Sequence, residues 1–125
     1  GCVMMLDDPA VIMKKFKRAV TDSDNEVRYD VAAKPGVSSL LDILAAVTGR
    51  TAQEAADGYT QYGPLKSDTG EAVVAMLEPI QARYRDLIDD KGELARLLSI
   101  GSDKARTVSS ATLQRAYDAI GLVRP

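Results

Sequence analysis

The chain contains no histidine and a single cysteine, Cys2. The first absence removes imidazole acid–base catalysis and every metal site built on histidine. The second excludes an internal disulfide, so a reduced, cytoplasmic setting is expected. Cys2 has no neighbouring base to activate it as a nucleophile and reads as a small apolar filler. No glycine-rich phosphate loop follows a strand, and no GxxxxGK[ST] occurs. Alternating strand patterns are nearly absent; "EVRYDV" is the one candidate, and it reads as a single extended segment. The opening apolar run "CVMML" is too short to cross a membrane and lacks the charged start of a signal peptide. Charge is nearly balanced, 16 Lys and Arg against 18 Asp and Glu. A net charge of -2 argues against a generally basic nucleic-acid protein but leaves room for a local basic patch.

What is present reads as helix after helix. The 125 residues suit one domain with a modest core. "DDPAVIMKKFKRAV" starts the first helix, with Asp7 or Asp8 as cap and Pro9 in the first turn. Ile12, Phe16, Ala19 and Val20 share a face at helical spacing. "SSLLDILAAVTG" is a second helix, apolar on a wide face and stopped by Gly49. "TAQEAADGY" is short, with Thr51 and Glu54 at capping-box spacing. "YGPLKSDTGEAVVAMLEPIQARYRDLIDD" is the longest, with Val73, Met76 or Leu77, Ile80, Tyr84, Leu87 and Ile88 recurring inward and Pro79 expected to bend it. "GELARLLSIGS" and "SDKARTVSSATLQRAYDAIG" complete the set, the last capped by Ser102 with Ala105, Val108, Leu113 or Ala116, Tyr117 and Ile120 inward. The expected fold class is all-α, a single bundle of about six helices with one long irregular connection after the first.

That connection lies within "AVTDSDNEVRYDVAAKPGVSSLL", residues 19–41, and it is unusually long for a compact domain. Thr21, Asp22, Ser23, Asp24 and Asn25 carry side chains that bond their own backbone in tight turns. The same groups can hydrogen-bond the edges of unstacked RNA bases. Arg28 and Lys34 flank the turn and suit a phosphate contact. Equally, Arg28 or Asp30 suits a buried polar anchor, and Asp30 takes that reading because it sits between Tyr29 and Val31, both expected to pack. Before the turn, Lys14, Lys15, Lys17 and Arg18 form a local positive run with no acid between Pro9 and Val20. It suits phosphate neutralisation and the negative end of the helix dipole about equally. The acid pairs Asp7/Asp8 and Asp89/Asp90 lack the ligand count of a calcium loop and read as a cap and a solvated face. Arg83, Arg85 and Arg96 with Tyr84 read as the wet side of the bundle.

Taken together, "LDDP", "KKFKRAVTDS", "VRYD", "KPGVSSLL" and "AVTGRT" at this spacing resemble the C-terminal part of the bacterial tryptophanyl-tRNA synthetase family, within the class I aminoacyl-tRNA synthetases. The likeness continues through "GEAVVAMLEPIQARY" and "GSDKAR" and covers nearly the whole chain. It departs at Ser39, where the family usually has Asn, at "MML", and at "GYTQYGPLKS". The resemblance implies a helical domain that receives the anticodon arm of tRNA(Trp). Residues Thr21 to Asn25 would approach anticodon bases, and Lys14 to Arg18, with Arg28, nearby phosphates. It also implies a Rossmann catalytic domain elsewhere in the enzyme that binds tryptophan and ATP with Mg, through HIGH-like and KMSKS motifs not found in these residues. The chain, opening mid-pattern on Gly1, is therefore expected to be a piece of a longer homodimeric enzyme. By itself it is expected to be catalytically inactive, monomeric and without cofactor.

Overall fold

The structure is a computed structural model, and it describes residues 2–122. All regular structure among them is helical: α1 (Pro9–Lys17), α2 (Pro35–Thr48), α3 (Ala52–Ala56), α4 (Tyr62–Asp89) and α5 (Lys91–Ile120). The count is therefore five, one fewer than expected. The chain divides into two units, Gly1–Ala82 and Arg83–Pro125, where a single bundle was expected. Among the described residues no helix is long and apolar enough to cross a membrane.

The first unit is built as local chemistry dictates. Asp8 caps α1 by accepting from the Ala10 N–H at 2.9 Å, and Pro9 takes the first helical position, where a missing N–H costs nothing. Gly49 ends α2 with φ 70°, a left-handed conformation that side chains resist. Thr51 and Glu54 close a reciprocal capping box on α3. The core joins Ile12 and Phe16 of α1, Val37, Leu40, Leu41 and Leu44 of α2, Ala55 and Ala56 of α3, and Tyr62, Leu65, Val73 and Leu77 of α4. Burying each of the larger side chains contributes about 1.5–3 kcal/mol. Gly70 lets α4 approach α1 closely: a Cβ there meets Met13 Sδ at 2.9 Å. Gln81 ties α4 to the amino-terminal segment by donating to the Met5 and Asp7 carbonyls at 2.9 and 3.0 Å.

Periodicity alone misplaces some inward residues. Val20 is 86% exposed because α1 ends at Lys17, before the spacing reaches it. In α4, Val73 and Leu77 are buried but Met76, Ile80, Tyr84 and Ile88 are exposed. The helix runs on through Pro79.

In the second unit α5 is one continuous helix, not two. Its N-terminus is capped by Asp90, which accepts from the Glu93 N–H at 2.9 Å, so that carboxylate is a cap and not merely part of a solvated face. Gly121 ends the helix at φ 72°. The break expected near Gly101 and Ser102 does not form. One interior glycine costs about 1 kcal/mol, too little by itself to stop a helix, and Ser102 and Asp103 lie within α5 instead of capping a new one. No residue of α5 is buried, and Val108, Leu113 and Ile120, expected inward, are exposed.

Candidate nucleic-acid interface

The connection from Arg18 to Lys34 contains no strand and no helix, yet it is held by bonds from distant parts of the first unit. It starts with a tight turn. Asp22 Oδ1 accepts from the Asp24 N–H at 3.0 Å, and Asn25 adopts φ 53°, a left-handed conformation that asparagine tolerates.

Beneath the turn lies Lys34, with a side chain only 1% exposed. Its ammonium donates to Asp22 Oδ1 at 3.0 Å, to Asp24 Oδ2 at 3.2 Å and to the Tyr62 hydroxyl at 3.1 Å. It also stands 5.8 Å from the centre of the Tyr62 ring. The Tyr62 hydroxyl has one proton to give; it faces Asp22 Oδ1 closely, with the Glu26 carbonyl at 3.1 Å as the other acceptor. Two further bonds come from α4. The Tyr62 N–H, unsatisfied within its own helix, donates to Asn25 Oδ1 at 3.3 Å, and Lys66 Nζ donates to Thr21 Oγ1 at 3.0 Å.

The electrostatics follow from this geometry. The Tyr62 hydroxyl, with Lys34 and the Asp24 N–H, outweighs partial burial and lowers the Asp22 carboxyl to about 2. Burial works against the Lys34 charge, but Tyr62, Asp22 and Asp24 overcome it and raise the ammonium above its ordinary value. Asp22 Oδ2 is buried without a hydrogen-bond partner among the described residues.

The rest of the connection is anchored through Asp30. Its Oδ1 accepts from the Ala33 N–H at 2.9 Å, its carbonyl from the Lys34 N–H at 2.7 Å, and its own N–H donates to the buried Ser38 hydroxyl at 2.9 Å. The Ala33 bond, then Arg28, holds its carboxyl low. Asp30 was expected to anchor because Tyr29 and Val31 would pack. Both are exposed, and the anchoring is by backbone hydrogen bonds instead. Gly36 seats the strap: a Cβ at this position meets the Val20 carbonyl oxygen at 2.2 Å.

The candidate residues separate into three situations. Lys14, Lys17 and Arg18 are exposed and, among the described residues, make no side-chain ion pair. Lys15 is half-buried and paired with Asp7, whose carboxyl it holds below the usual range. Arg28 lies between Glu26 at 2.7 Å and Asp30 at 3.3 Å. Of the turn, Thr21, Asp22, Asp24 and Asn25 have inward side-chain bonds, and Ser23 is exposed at the tip without one. Arg18 and Thr21 are three positions apart, at most about 11 Å of chain, so the free cations and the turn form one neighbourhood. Lys34 lies outside it: a side chain 1% exposed contacts no phosphate, contrary to the expectation from its place beside the turn.

The sequence pointed to no role for Tyr62 or Lys66. The only available hint was a lysine at the N-cap of α2, a place where Ser, Thr, Asp or Asn is ordinary. The same unit also carries a cavity of about 960 Å³, walled mainly by Val3, Met5, Phe16, Leu40, Ile43, Val47 and Met76, with Lys15 and Arg18 beside it.

Known proteins are similar to this chain in sequence and in fold. The family model described as tRNA synthetases class I (W and Y) matches residues 1–78. A tryptophan–tRNA ligase of Enterococcus faecalis is 48% identical over 99% of this chain and 37% of its own length. Tryptophan–tRNA ligase 1 of Streptomyces coelicolor is 47% identical over 100% of the chain and 37% of its own length. The crystal structure of tryptophanyl-tRNA synthetase from Mycoplasma pneumoniae superposes with a TM-score of 0.83 at 28% identity, covering 97% of this chain and 38% of that one. The chain thus spans a little over a third of the length of the relatives it matches.

Proposed function

We propose, for a chain that belongs to the class I tRNA synthetases of the tryptophan and tyrosine type, that it is the C-terminal helical part of a cytoplasmic tryptophan–tRNA ligase. Its task there is to receive the anticodon arm of tRNA(Trp). The observation that carries this reading is a juxtaposition on the first unit. Three solvent-facing cations at the end of α1, unpaired among the described residues, run directly into a pinned polar turn with an exposed tip. Lys14, Lys17 and Arg18 neutralise phosphates, which position the RNA but do not read it. The turn from Thr21 to Asn25 faces the unstacked bases. Lys15 and Arg28, already paired within the protein, contribute less.

Tryptophan activation falls to a Rossmann domain of the same enzyme, which works as a homodimer. The residues of this chain do not fit ATP and Mg: the described glycines sit inside helices or at their ends, and none forms a phosphate-cradling loop. No step of the activation chemistry is assigned to them.

Titration of the chain with a tRNA(Trp) transcript, and with one whose anticodon loop is replaced, tests the reading. Binding to the first is expected to be tighter, to weaken with salt, and to fall when Lys17 and Arg18 are changed to Glu. Equal, salt-independent binding of both transcripts overturns it.

The apolar cavity favours a second reading, in which the domain mainly braces the catalytic half and its signature loop. Under that reading Met76→Asp in the whole synthetase lowers tryptophan-dependent ATP–pyrophosphate exchange and leaves anticodon discrimination intact.

A further inference from the structure

Resting on the assignment of the turn to RNA, we propose that Lys34 and Tyr62 are positioning residues that latch the turn Thr21–Asn25 in its binding shape and present Ser23 at the tip.

Four observations carry this. Lys34 is 1% exposed, so it acts through the turn and not on a ligand. An ammonium has three donors, and all three are spent, on Asp22, Asp24 and Tyr62. Tyr62 is a core residue at the start of α4, and it reaches the turn twice: its hydroxyl faces Asp22, with the Glu26 carbonyl as the alternative acceptor, and its backbone N–H donates to Asn25. Finally, the four inward-bonded side chains of the turn leave Ser23 as its one polar side chain without an internal partner, among the described residues.

The physical gain is preorganisation. A turn with a left-handed Asn25 and two carboxylates side by side is not a conformation that a free chain favours. Asp22 and Asp24 repel unless a cation lies between them, and Lys34 supplies it from below, where it does not compete with an incoming base. Binding to a preset turn avoids the cost of ordering that turn.

The test is a titration of a fluorescently labelled tRNA(Trp) transcript with Tyr62→Phe, Ser23→Ala, their double variant and Lys34→Met, across salt concentrations. Tyr62→Phe keeps the buried ring and loses the hydroxyl bonds. It is expected to weaken binding roughly three- to tenfold with the salt slope unchanged. Ser23→Ala is expected to weaken binding roughly threefold in the parent and to have no effect in the Tyr62→Phe background, since an unlatched turn no longer presents the hydroxyl. Should Lys34→Met fail to fold, Tyr62→Phe and the double variant still decide the matter.

Normal binding by Tyr62→Phe overturns the latch. So does a Ser23→Ala effect that is absent in the parent or unchanged in the Tyr62→Phe background. A salt slope reduced by about 0.7 in Lys34→Met also overturns it, by marking a direct phosphate contact. If instead the parent chain does not distinguish the tRNA(Trp) transcript from one with a replaced anticodon loop, the RNA reading itself falls.

Discussion

Between Thr21 and Lys34 no helix or strand forms, yet bonds from α2 and α4 reach across as many as 45 residues of sequence to hold the segment. In α5 thirty residues form one helix with both ends capped, and none of them is buried. Regular hydrogen bonding and tertiary fixation are thus separate achievements in this molecule. A helix satisfies its interior backbone groups from within and leaves only its ends to caps a few residues away. An irregular segment leaves its polar groups unsatisfied, and persists in one shape only when other elements supply partners.

The contrast is sharpest at glycine. Gly36→Val in the strap forces a Cβ into the Val20 carbonyl, a backbone contact that no side-chain rotation relieves. A loss of at least about 3 kcal/mol, the upper end of overpacking effects, is expected in urea unfolding. Gly101→Ala in α5 meets nothing within 4 Å and is expected to raise helix stability by up to about 1 kcal/mol. Similar effects at the two sites erase the distinction between the pinned connection and α5.

Smaller but more local is Lys34→Met. It leaves Asp22 and Asp24 adjacent without their cation, so limited proteolysis should cut first between residues 21 and 34. Cleavage that begins in α5 instead, at an unchanged rate, argues that the connection is not held by the ammonium.

Acid provides a graded version of the same break. Asp22 has its carboxyl at about 2 in the folded chain, below the ordinary 3.8. A lowered carboxyl stabilises the fold above the ordinary value, and that contribution is lost as pH falls from about 4 through about 2. Lys34, raised, keeps its contribution throughout this range and loses it only on the alkaline side. Asp22→Asn should therefore flatten the stability profile between about pH 4 and about pH 2, as followed by circular dichroism. An unaltered slope assigns the acid sensitivity to other carboxylates.

Least affected should be Leu98→Ala on α5. Leu98 is 64% exposed, and a change within about 0.5 kcal/mol is expected. A cost above about 2 kcal/mol in the same urea experiment shows that α5 packs against a partner.

Local chemistry was legible wherever its reach is a few residues. The Asp8 and Pro9 start of α1, the Thr51/Glu54 box and the Gly49 stop follow from side chains that act within one helical turn. So do the all-helical class and the core face of α2, because a 3.6-residue period places Leu40, Leu41 and Leu44 together. The fusion of the last two helices was missed because a weak helix breaker was given the weight of a strong one. Nor does periodicity report whether an apolar stripe finds a partner, so Val108 and Ile120 were placed inward while their helix buries nothing.

The sequence by itself determined the all-helical class, the Asp8, Gly49 and Thr51 boundaries, and the position of an irregular, polar connection between the first two helices. Only tertiary structure decided that Lys34 is buried, that Tyr62 meets Asp22 across 40 residues of chain, and that Ser23, among the described residues, is the turn's one polar side chain without an internal bond. The reason is range. Caps and periodic faces are set by neighbours a few residues apart, whereas a charge can be buried only where folding brings its partners from elsewhere in the chain.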